Sequence, residues 1–198
     1  MPLPRPLLYS TIITVLCLLT LPAAQAHNGA AGLEATRVQG GDFNLQSAGG
    51  PVRLSDFQGK VVAIYFGYTH CEDTCPITLG KLGSALKLLK PEEAEQIQPI
   101  FITIDPARDD AQRLASYSTA FYPGLIGLTG SASEIAAAAR AYGINYRKGP
   151  VSAKGGYDFS LPSVIYLVGR DGKLLRSRPH GNSPALIAAA LRKALLNH

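Results

Sequence analysis

The sequence is short of charge, of cysteine and of any concentrated basic segment. Only 17% of its 198 residues are charged, whereas 46% are hydrophobic, and this balance excludes a disordered chain. The net charge is a mild +5, and the absence of a lysine and arginine cluster argues against a nucleic-acid-binding protein. The 20 glycines and 14 prolines follow no collagen-like period, and the sequence has no internal repeats. One globular domain of ordinary size is therefore expected.

The first 26 residues have the pattern of an export signal. Arg5 supplies a positive charge, an apolar stretch covers residues 7–21, and residues 24–26 read Ala-Gln-Ala, a pattern typical of cleavage sites. The apolar stretch is short for a transmembrane span. We expect a signal peptide over residues 1–26, with an uncleaved membrane anchor as the alternative. The expected location is the bacterial periplasm, or the membrane surface that faces it.

The rest of the chain divides into residues 27–45, which are small and polar and are expected to form a flexible lead-in, and a domain over residues 46–198. The predicted strands are 61–66, 97–104, 125–128, 163–168 and 173–178, and the predicted helices are 76–89, 109–121, 131–142 and 183–196. Alternating strands and helices imply parallel pairing with helices on both faces, and the last two strands read as an antiparallel hairpin. The pattern predicts an α/β, thioredoxin-like fold with a central mixed sheet flanked by helices on both faces.

Cys71 and Cys75 are the cysteines that remain after the predicted cleavage, and they lie where a buried strand turns into a helix. A disulfide between them closes too short a loop to stabilise the fold much, and structural zinc needs four ligands. The helix N-terminus lowers the pKa of a thiol, whereas Glu72 and Asp73 act in the opposite direction. The pair can cycle between dithiol and disulfide, offer two soft ligands to Cu(I), or form an inert disulfide.

The segment around these cysteines resembles the signature of the SCO/SenC family. The matching segments are Phe66–Pro76 (FGYTHCEDTCP), 104–109 (IDPARD), 126–131 (IGLTGS), 142–143 (YG) and 166–167 (YL), in order and at matching spacing. The resemblance implies an exported or membrane-anchored protein that binds copper and helps to assemble the dinuclear copper centre of cytochrome c oxidase. Some members act as thiol-disulfide oxidoreductases. Carried over, the family's paired cysteines are Cys71 and Cys75.

The chain departs from the family at the histidine of the copper site. Counting back from Tyr166-Leu167, that histidine falls on Leu161 and the aspartate before it on Ser160. A leucine cannot ligate copper; two thiolates alone can hold Cu(I), but Cu(II) would lose its imidazole ligand. Leu161-Pro162 instead looks like the apolar-proline step of ordinary thioredoxin-like oxidoreductases, which supports a substrate strand. We therefore predict a cis Leu161–Pro162 bond that faces the cysteines.

Two histidines are candidate substitutes for the missing ligand. His70 directly precedes Cys71, and His180 follows the second hairpin strand, whose end returns toward Leu161 and Pro162. Each could ligate a metal or steady a thiolate, and each has a plain surface-loop alternative. Residues 108–110 (Arg-Asp-Asp) are interpreted as side chains that cap and solvate a helix start.

The leading hypothesis is a cell-envelope thiol-disulfide oxidoreductase that acts on cysteines of a partner protein in cytochrome c oxidase copper-centre assembly. Cys71 would attack a partner disulfide and Cys75 would resolve the mixed disulfide. The alternative is a copper-binding metallochaperone that delivers copper to cytochrome c oxidase and turns over nothing. The expected partner is an oxidase subunit or a copper chaperone with redox-active or metal-binding cysteines, and membrane proximity would come through that partner or an uncleaved anchor.

Overall fold

The computed structural model of the protein describes residues 40–153, 155–179 and 183–197. The predicted signal peptide, most of the predicted lead-in and His180 lie outside these residues. Within them, no helix is long and apolar enough to cross a membrane.

Nine strands and five helices occur in the described part of the chain. The strands are β1 (Asn44–Ser47), β2 (Gly50–Arg53), β3 (Val61–Gly67), β4 (Ile97–Thr103), β5 (Ile126–Leu128), β6 (Arg147–Lys148), β7 (Phe159–Ser160), β8 (Val164–Val168) and β9 (Leu174–Pro179). The helices are α1 (Thr74–Lys87), α2 (Pro91–Ala94), α3 (Ala111–Thr119), α4 (Ala132–Ala141) and α5 (Pro184–Leu195). Each predicted strand and helix is confirmed, with ends that differ by one or two residues.

The central sheet has five strands in the order β5-β4-β3-β8-β9. β3, β4 and β5 are parallel, whereas β8 pairs antiparallel with both β3 and β9. All seven residues of β3 are buried, as expected for a central strand covered on both faces. The sheet is mixed and flanked by helices, which confirms the predicted α/β, thioredoxin-like fold.

The folded domain begins at an earlier residue than predicted. β1 and β2 form an antiparallel hairpin, and Phe43 and Leu45 are buried in the core on alternate positions. The Tyr142 hydroxyl also donates a hydrogen bond to the Gly41 carbonyl, at 3.2 Å. The predicted boundary between residues 45 and 46 is therefore placed too late, because residues 40–45 already contribute apolar side chains and backbone contacts to the domain.

A second hairpin lies between α4 and β8, where the sequence predicts neither a strand nor a helix. β6 and β7 pair antiparallel, with Arg147 opposite Ser160 and Lys148 opposite Phe159. We call residues 147–160 the cleft hairpin, because it forms one wall of the site described below.

The strand register brings three chain segments to one end of the sheet. The carboxyl ends of β3 and β4 are aligned, with Gly67 opposite Thr103, and the Ile104 N–H donates to the Gly67 carbonyl at 2.8 Å. β8 runs in the opposite direction, with Ile165 opposite Tyr65, so the residues that precede β8 lie at the same end. The cysteine segment, the segment after β4 and the Leu161-Pro162 segment therefore meet.

Candidate active site

The two cysteines lie at the start of α1 in different environments. Cys71 is half-buried in the turn before the helix, and Cys75, in the first helical turn, has no exposed surface. The Cys75 backbone N–H donates to the Cys71 sulfur at 3.2 Å. Gly67 makes room for this packing, since a Cβ there would lie 2.9 Å from the Cys75 sulfur. The Cys71 sulfur therefore faces the free N–H groups of the helix start, as predicted.

These contacts separate the pKa values of the two thiols. The hydrogen bond from the Cys75 thiol lowers the pKa of Cys71 to about 6, helped by the backbone N–H groups of residues 73–75 and opposed by burial. The same hydrogen bond and burial raise the pKa of Cys75. Hydrogen bonding to the thiolate therefore outweighs the opposing charges of Glu72 and Asp73. At pH 7 Cys71 is a thiolate in reach of solvent, and Cys75 is a buried thiol.

A cluster of hydroxyl groups lies beneath the cysteines, and sequence reasoning missed it. The Tyr65 hydroxyl is 3.1 Å from the Ser163 hydroxyl, which is 3.2 Å from the Thr78 hydroxyl. The Tyr65 hydroxyl also hydrogen-bonds to Cys75, and burial raises the pKa of Tyr65, so the phenol stays neutral. β3, α1 and the segment before β8 each supply one member, and no local pattern in the sequence connects them.

A buried carboxylate holds the turn between β3 and Cys71. Asp109 has no exposed surface; it accepts hydrogen bonds from the Thr69 N–H at 2.9 Å, from the Thr69 hydroxyl and from the Thr103 hydroxyl at 2.6 Å. The interpretation of Asp109 as a solvated helix-start residue is therefore wrong. Asp110 is the residue that caps α3, by accepting from the Arg113 N–H at 2.7 Å.

His70 lies beside this carboxylate. Its Nδ1 is 3.7 Å from Asp109 Oδ1 and 3.2 Å from the Thr69 hydroxyl. The side chain is 40% exposed, so its other ring nitrogen is the one left for a partner or a metal ion.

The cleft hairpin is fastened to the sheet by aromatic and charged contacts. The Tyr157 hydroxyl donates to the buried Asp105 carboxylate at 2.9 Å, and Asp105 also pairs with Arg108. The Arg108 guanidinium lies 3.7 Å from the centre of the Tyr157 ring, and the Lys148 ammonium lies 3.5 Å from it. From the sequence, Arg108 is interpreted only as a side chain of the helix start, but it also helps to hold the hairpin in place through its cation–π contact with Tyr157.

Tyr68 also attaches the cleft hairpin to the rest of the domain, on the side of the cysteines. Its hydroxyl accepts from the Phe159 N–H at 3.2 Å and donates to Asp158 at 3.4 Å. Its ring meets that of Phe159 edge to face, with ring centres 5.4 Å apart. The hairpin and the cysteine turn therefore form the two walls of one opening.

That opening is a cleft of about 310 Å³ above the thiols. It is lined by Tyr65 and Tyr68, by residues 71–75 on one wall, and by residues 158–161 with Ser163 on the other. The structure thus brings Leu161 to the cysteines, as predicted.

Pro162 does not behave as predicted. The described residues contain no cis peptide bond, so the predicted cis Leu161–Pro162 bond is wrong. Pro162 is exposed, and the residues on either side of it, Leu161 and Ser163, face the cleft. The hydrogen-bonded Ser163 hydroxyl fixes this segment against Tyr65 and Thr78, so the segment is positioned without a proline ring against the sulfurs, and the less costly trans bond is kept.

The donors in the cleft fit a soft monovalent metal better than a divalent one. Cys71 and Cys75 place two sulfurs side by side, which suits Cu(I). Leu161 lies at the position where the family resemblance places a histidine ligand, and it adds an apolar surface to the cleft instead. The described residues contain no group of three or more His, Cys, Asp or Glu side chains that could hold a metal ion. His70 is the one candidate substitute that the structure describes, and it is directed toward Asp109 and Thr69.

A cysteine pair at the junction of a buried central strand and a helix, in a mixed five-stranded sheet, defines a thioredoxin-like thiol protein. The sequence model of the SCO1/SenC family matches residues 31–196, and the chain belongs to that family.

Relatives and solved structures agree with this assignment. The chain is 41% identical over 154 residues to the mitochondrial SCO2 homolog of Danio rerio, a match that covers 77% of this chain and 55% of that protein. Copper-bound ScoI of Bradyrhizobium japonicum is 34% identical, with a TM-score of 0.72 over 79% of this chain and 99% of that one. BsSco, a cytochrome c oxidase assembly protein with a disulfide switch, is 29% identical, with a TM-score of 0.59 over 80% and 95% of the two chains. The chain spans about half the length of the curated mitochondrial relatives it matches.

Proposed function

We propose that this protein is a thiol-disulfide oxidoreductase of the cell envelope that acts on cysteines of a partner protein during assembly of the copper centre of cytochrome c oxidase. The observation that carries the proposal is the asymmetry of the two thiols. Cys71 is half-buried with a pKa lowered to about 6, whereas Cys75 has no exposed surface and a raised pKa. One thiol is built to attack a partner and the other to act only inside the domain.

The reaction follows from this division. The Cys71 thiolate attacks one sulfur of a partner disulfide; a Cys71–partner disulfide forms, and the other partner sulfur leaves as a thiolate. Cys75 then gives its proton to the partner thiolate formed in the first step and attacks the Cys71 sulfur, which forms the Cys71–Cys75 disulfide and releases the second partner sulfur as a thiolate. The partner disulfide gains two electrons and the protein dithiol loses them.

Leu161 is the feature that favours redox chemistry over copper delivery. It lines the cleft beside the thiols at the position where the family resemblance places an imidazole ligand. An apolar side chain there weakens a copper site but leaves disulfide exchange unaffected, because exchange needs only the two sulfurs and access for a partner. The predicted export signal supports the envelope location, and BsSco, an assembly protein of the same family, supports the oxidase pathway.

Trapping the mixed disulfide tests the proposal. In the Cys75→Ser variant Cys71 has no resolving thiol, so a partner disulfide should remain bound to it as a covalent adduct that reductant releases. A synthetic peptide carrying two cysteines in a disulfide, resembling an oxidase copper-site segment, serves as the probe. Cys71→Ser is the matched control and should trap nothing. Equal adduct in both variants, or none in Cys75→Ser, would overturn the proposal.

Copper delivery is the second candidate, favoured by the two adjacent sulfurs and by copper-bound ScoI of Bradyrhizobium japonicum. Competition of the reduced protein with a coloured Cu(I) chelator separates the two functions, with Leu161→His as a gain-of-ligand control. We expect weak binding in the wild type and tighter binding in the variant. If the wild type already holds one Cu(I) tightly, and loses it when either cysteine is replaced, copper delivery is the function and His70 is the first ligand to test.

A further inference from the structure

We infer that the thiol cleft selects partner cysteines that are flanked by positive charge. The inference rests on the proposed function, because it names the class of partner segment that the same thiols would attack.

The cleft carries charge of one sign on both walls. Glu72 and Asp73 lie on the cysteine wall and Asp158 on the cleft hairpin, and all three side chains are exposed. No lysine, arginine or histidine is among the described residues that line the cleft. The whole chain has a net charge of +5, so the sign of the cleft is opposite to that of the protein.

The described cations of the cleft hairpin and of the segment after β4 are either paired elsewhere or outside the lining of the cleft. Arg108 pairs with Asp105, and the Arg108 and Lys148 side chains both lie against the Tyr157 ring. Arg147 is opposite Ser160 in the β6–β7 ladder but is not among the residues that line the cleft. Among the described residues, the three carboxylates therefore line the cleft without a cation between them.

A partner segment must pass between these walls to reach Cys71. Lysine or arginine side chains beside its cysteine would lie next to carboxylates, whereas acidic side chains would be repelled on approach. Phe159 and Leu161, both half-buried in the same cleft, offer an apolar contact to a residue between the charges. The fitting partner is thus a cysteine-bearing protein segment with basic and apolar neighbours.

Small disulfides of similar size and different charge test the selection without an identified partner. The reduced full-length protein is mixed with cystamine, which carries two positive charges, with neutral 2-hydroxyethyl disulfide, or with dithiodiglycolate, which carries two negative charges. Each rate constant is divided by that of dithiothreitol, a neutral dithiol, with the same disulfide at the same pH, which removes the intrinsic reactivity of the disulfide. We expect the order cationic, neutral, anionic, with a span of about tenfold at low salt. The span should shrink at roughly 0.5 M salt, where charges are screened within a few ångströms.

Two double variants locate the effect. Glu72→Gln with Asp158→Asn removes one carboxylate from each wall and should bring the normalised rates together. Glu92→Gln with Glu95→Gln removes the same charge from exposed positions before β4, at the opposite end of the sheet from the thiols, and should keep the tenfold span.

The outcomes separate this inference from the proposed function. Equal or reversed normalised rates in the wild type overturn the charge selection but leave the oxidoreductase in place. An equal loss of selectivity in both double variants also overturns it, because the effect then belongs to the overall charge. If the protein reacts no faster than dithiothreitol with the neutral disulfide, the proposed function itself fails.

Discussion

Replacement of Asp109 by asparagine should loosen the turn that carries Cys71. The carboxylate has no exposed surface, and it accepts from the Thr69 N–H and from the hydroxyls of Thr69 and Thr103. Asparagine has the same shape but one acceptor oxygen and no charge, so at least one of these charge-assisted hydrogen bonds is lost. A hydrogen bond to a charged group contributes about 1.5–3 kcal/mol. We expect the free energy of unfolding to fall by an amount in that range.

Two assays on the reduced protein measure this effect. Urea unfolding gives the loss of stability at unchanged m-value, and the pH dependence of Cys71 alkylation reports whether the sulfur still lies over the helix start. A turn released from Asp109 weakens the hydrogen bonds to the Cys71 thiolate, so the alkylation midpoint should move toward higher pH, the direction of an ordinary thiol.

Asp110→Asn is the matched control. It makes the same chemical change one residue away, at an exposed N-cap whose side chain accepts from the Arg113 N–H. Asparagine and aspartate are nearly equal as N-caps, so stability should stay within about 0.5 kcal/mol of the wild type. If Asp109→Asn is as mild as Asp110→Asn and leaves the alkylation midpoint in place, Asp109 does not position the cysteine turn.

Two further predictions concern the thiols and the packing beside them. Alkylation of Cys71 should be slow below about pH 6, where its thiol is protonated, and should reach a plateau at higher pH. Cys75 should resist alkylation at every pH at which the protein stays folded. A single alkylation midpoint near pH 9 would contradict this assignment of the two thiols. Gly67→Ala places a Cβ 2.9 Å from the Cys75 sulfur, and such overpacking should cost about 1–3 kcal/mol in urea unfolding. Gly80→Ala, in α1 with nothing within 4 Å of the added Cβ, should instead stabilise by about 0.5–1 kcal/mol, and equal effects of the two substitutions would refute the packing argument.

The sequence was sufficient where a local pattern determines structure. The continuous apolar run of β3 and the helical spacing of α1 located the cysteines at a strand–helix junction. The predicted helix 131–142 matches α4 to within one residue at each end, and Ser131 and Glu134 form a capping box at its start. The parallel pairing of the first strands followed from the alternation of elements, because parallel strands need crossover helices. The missed β1–β2 hairpin left a weak signal in the alternation of Phe43 and Leu45.

The errors arose where distant residues determine the outcome. Asp109 reads as a surface residue in its own segment, and only the alignment of β3 with β4 brings Thr69 and Thr103 to it. The expected cis bond at Pro162 rests on an analogy of local sequence, whereas the segment is held through the Ser163 hydroxyl by side chains from β3 and α1. The two-residue strands of the cleft hairpin are too short to leave a period in the sequence.

The division of the cleft between two structural origins has a consequence for how such proteins diversify. The cysteine wall is anchored in the core through Gly67, Asp109 and α1, so most changes there cost stability or alter thiol chemistry. The hairpin wall joins α4 to β8 and is attached through a few side chains, among them Tyr157. Its exposed positions are free to vary while the sulfurs stay in place. Exchange of residues 147–160 between paralogues would therefore transfer the preference for a partner protein. The reactivity of the cysteines in the recipient protein would stay unchanged.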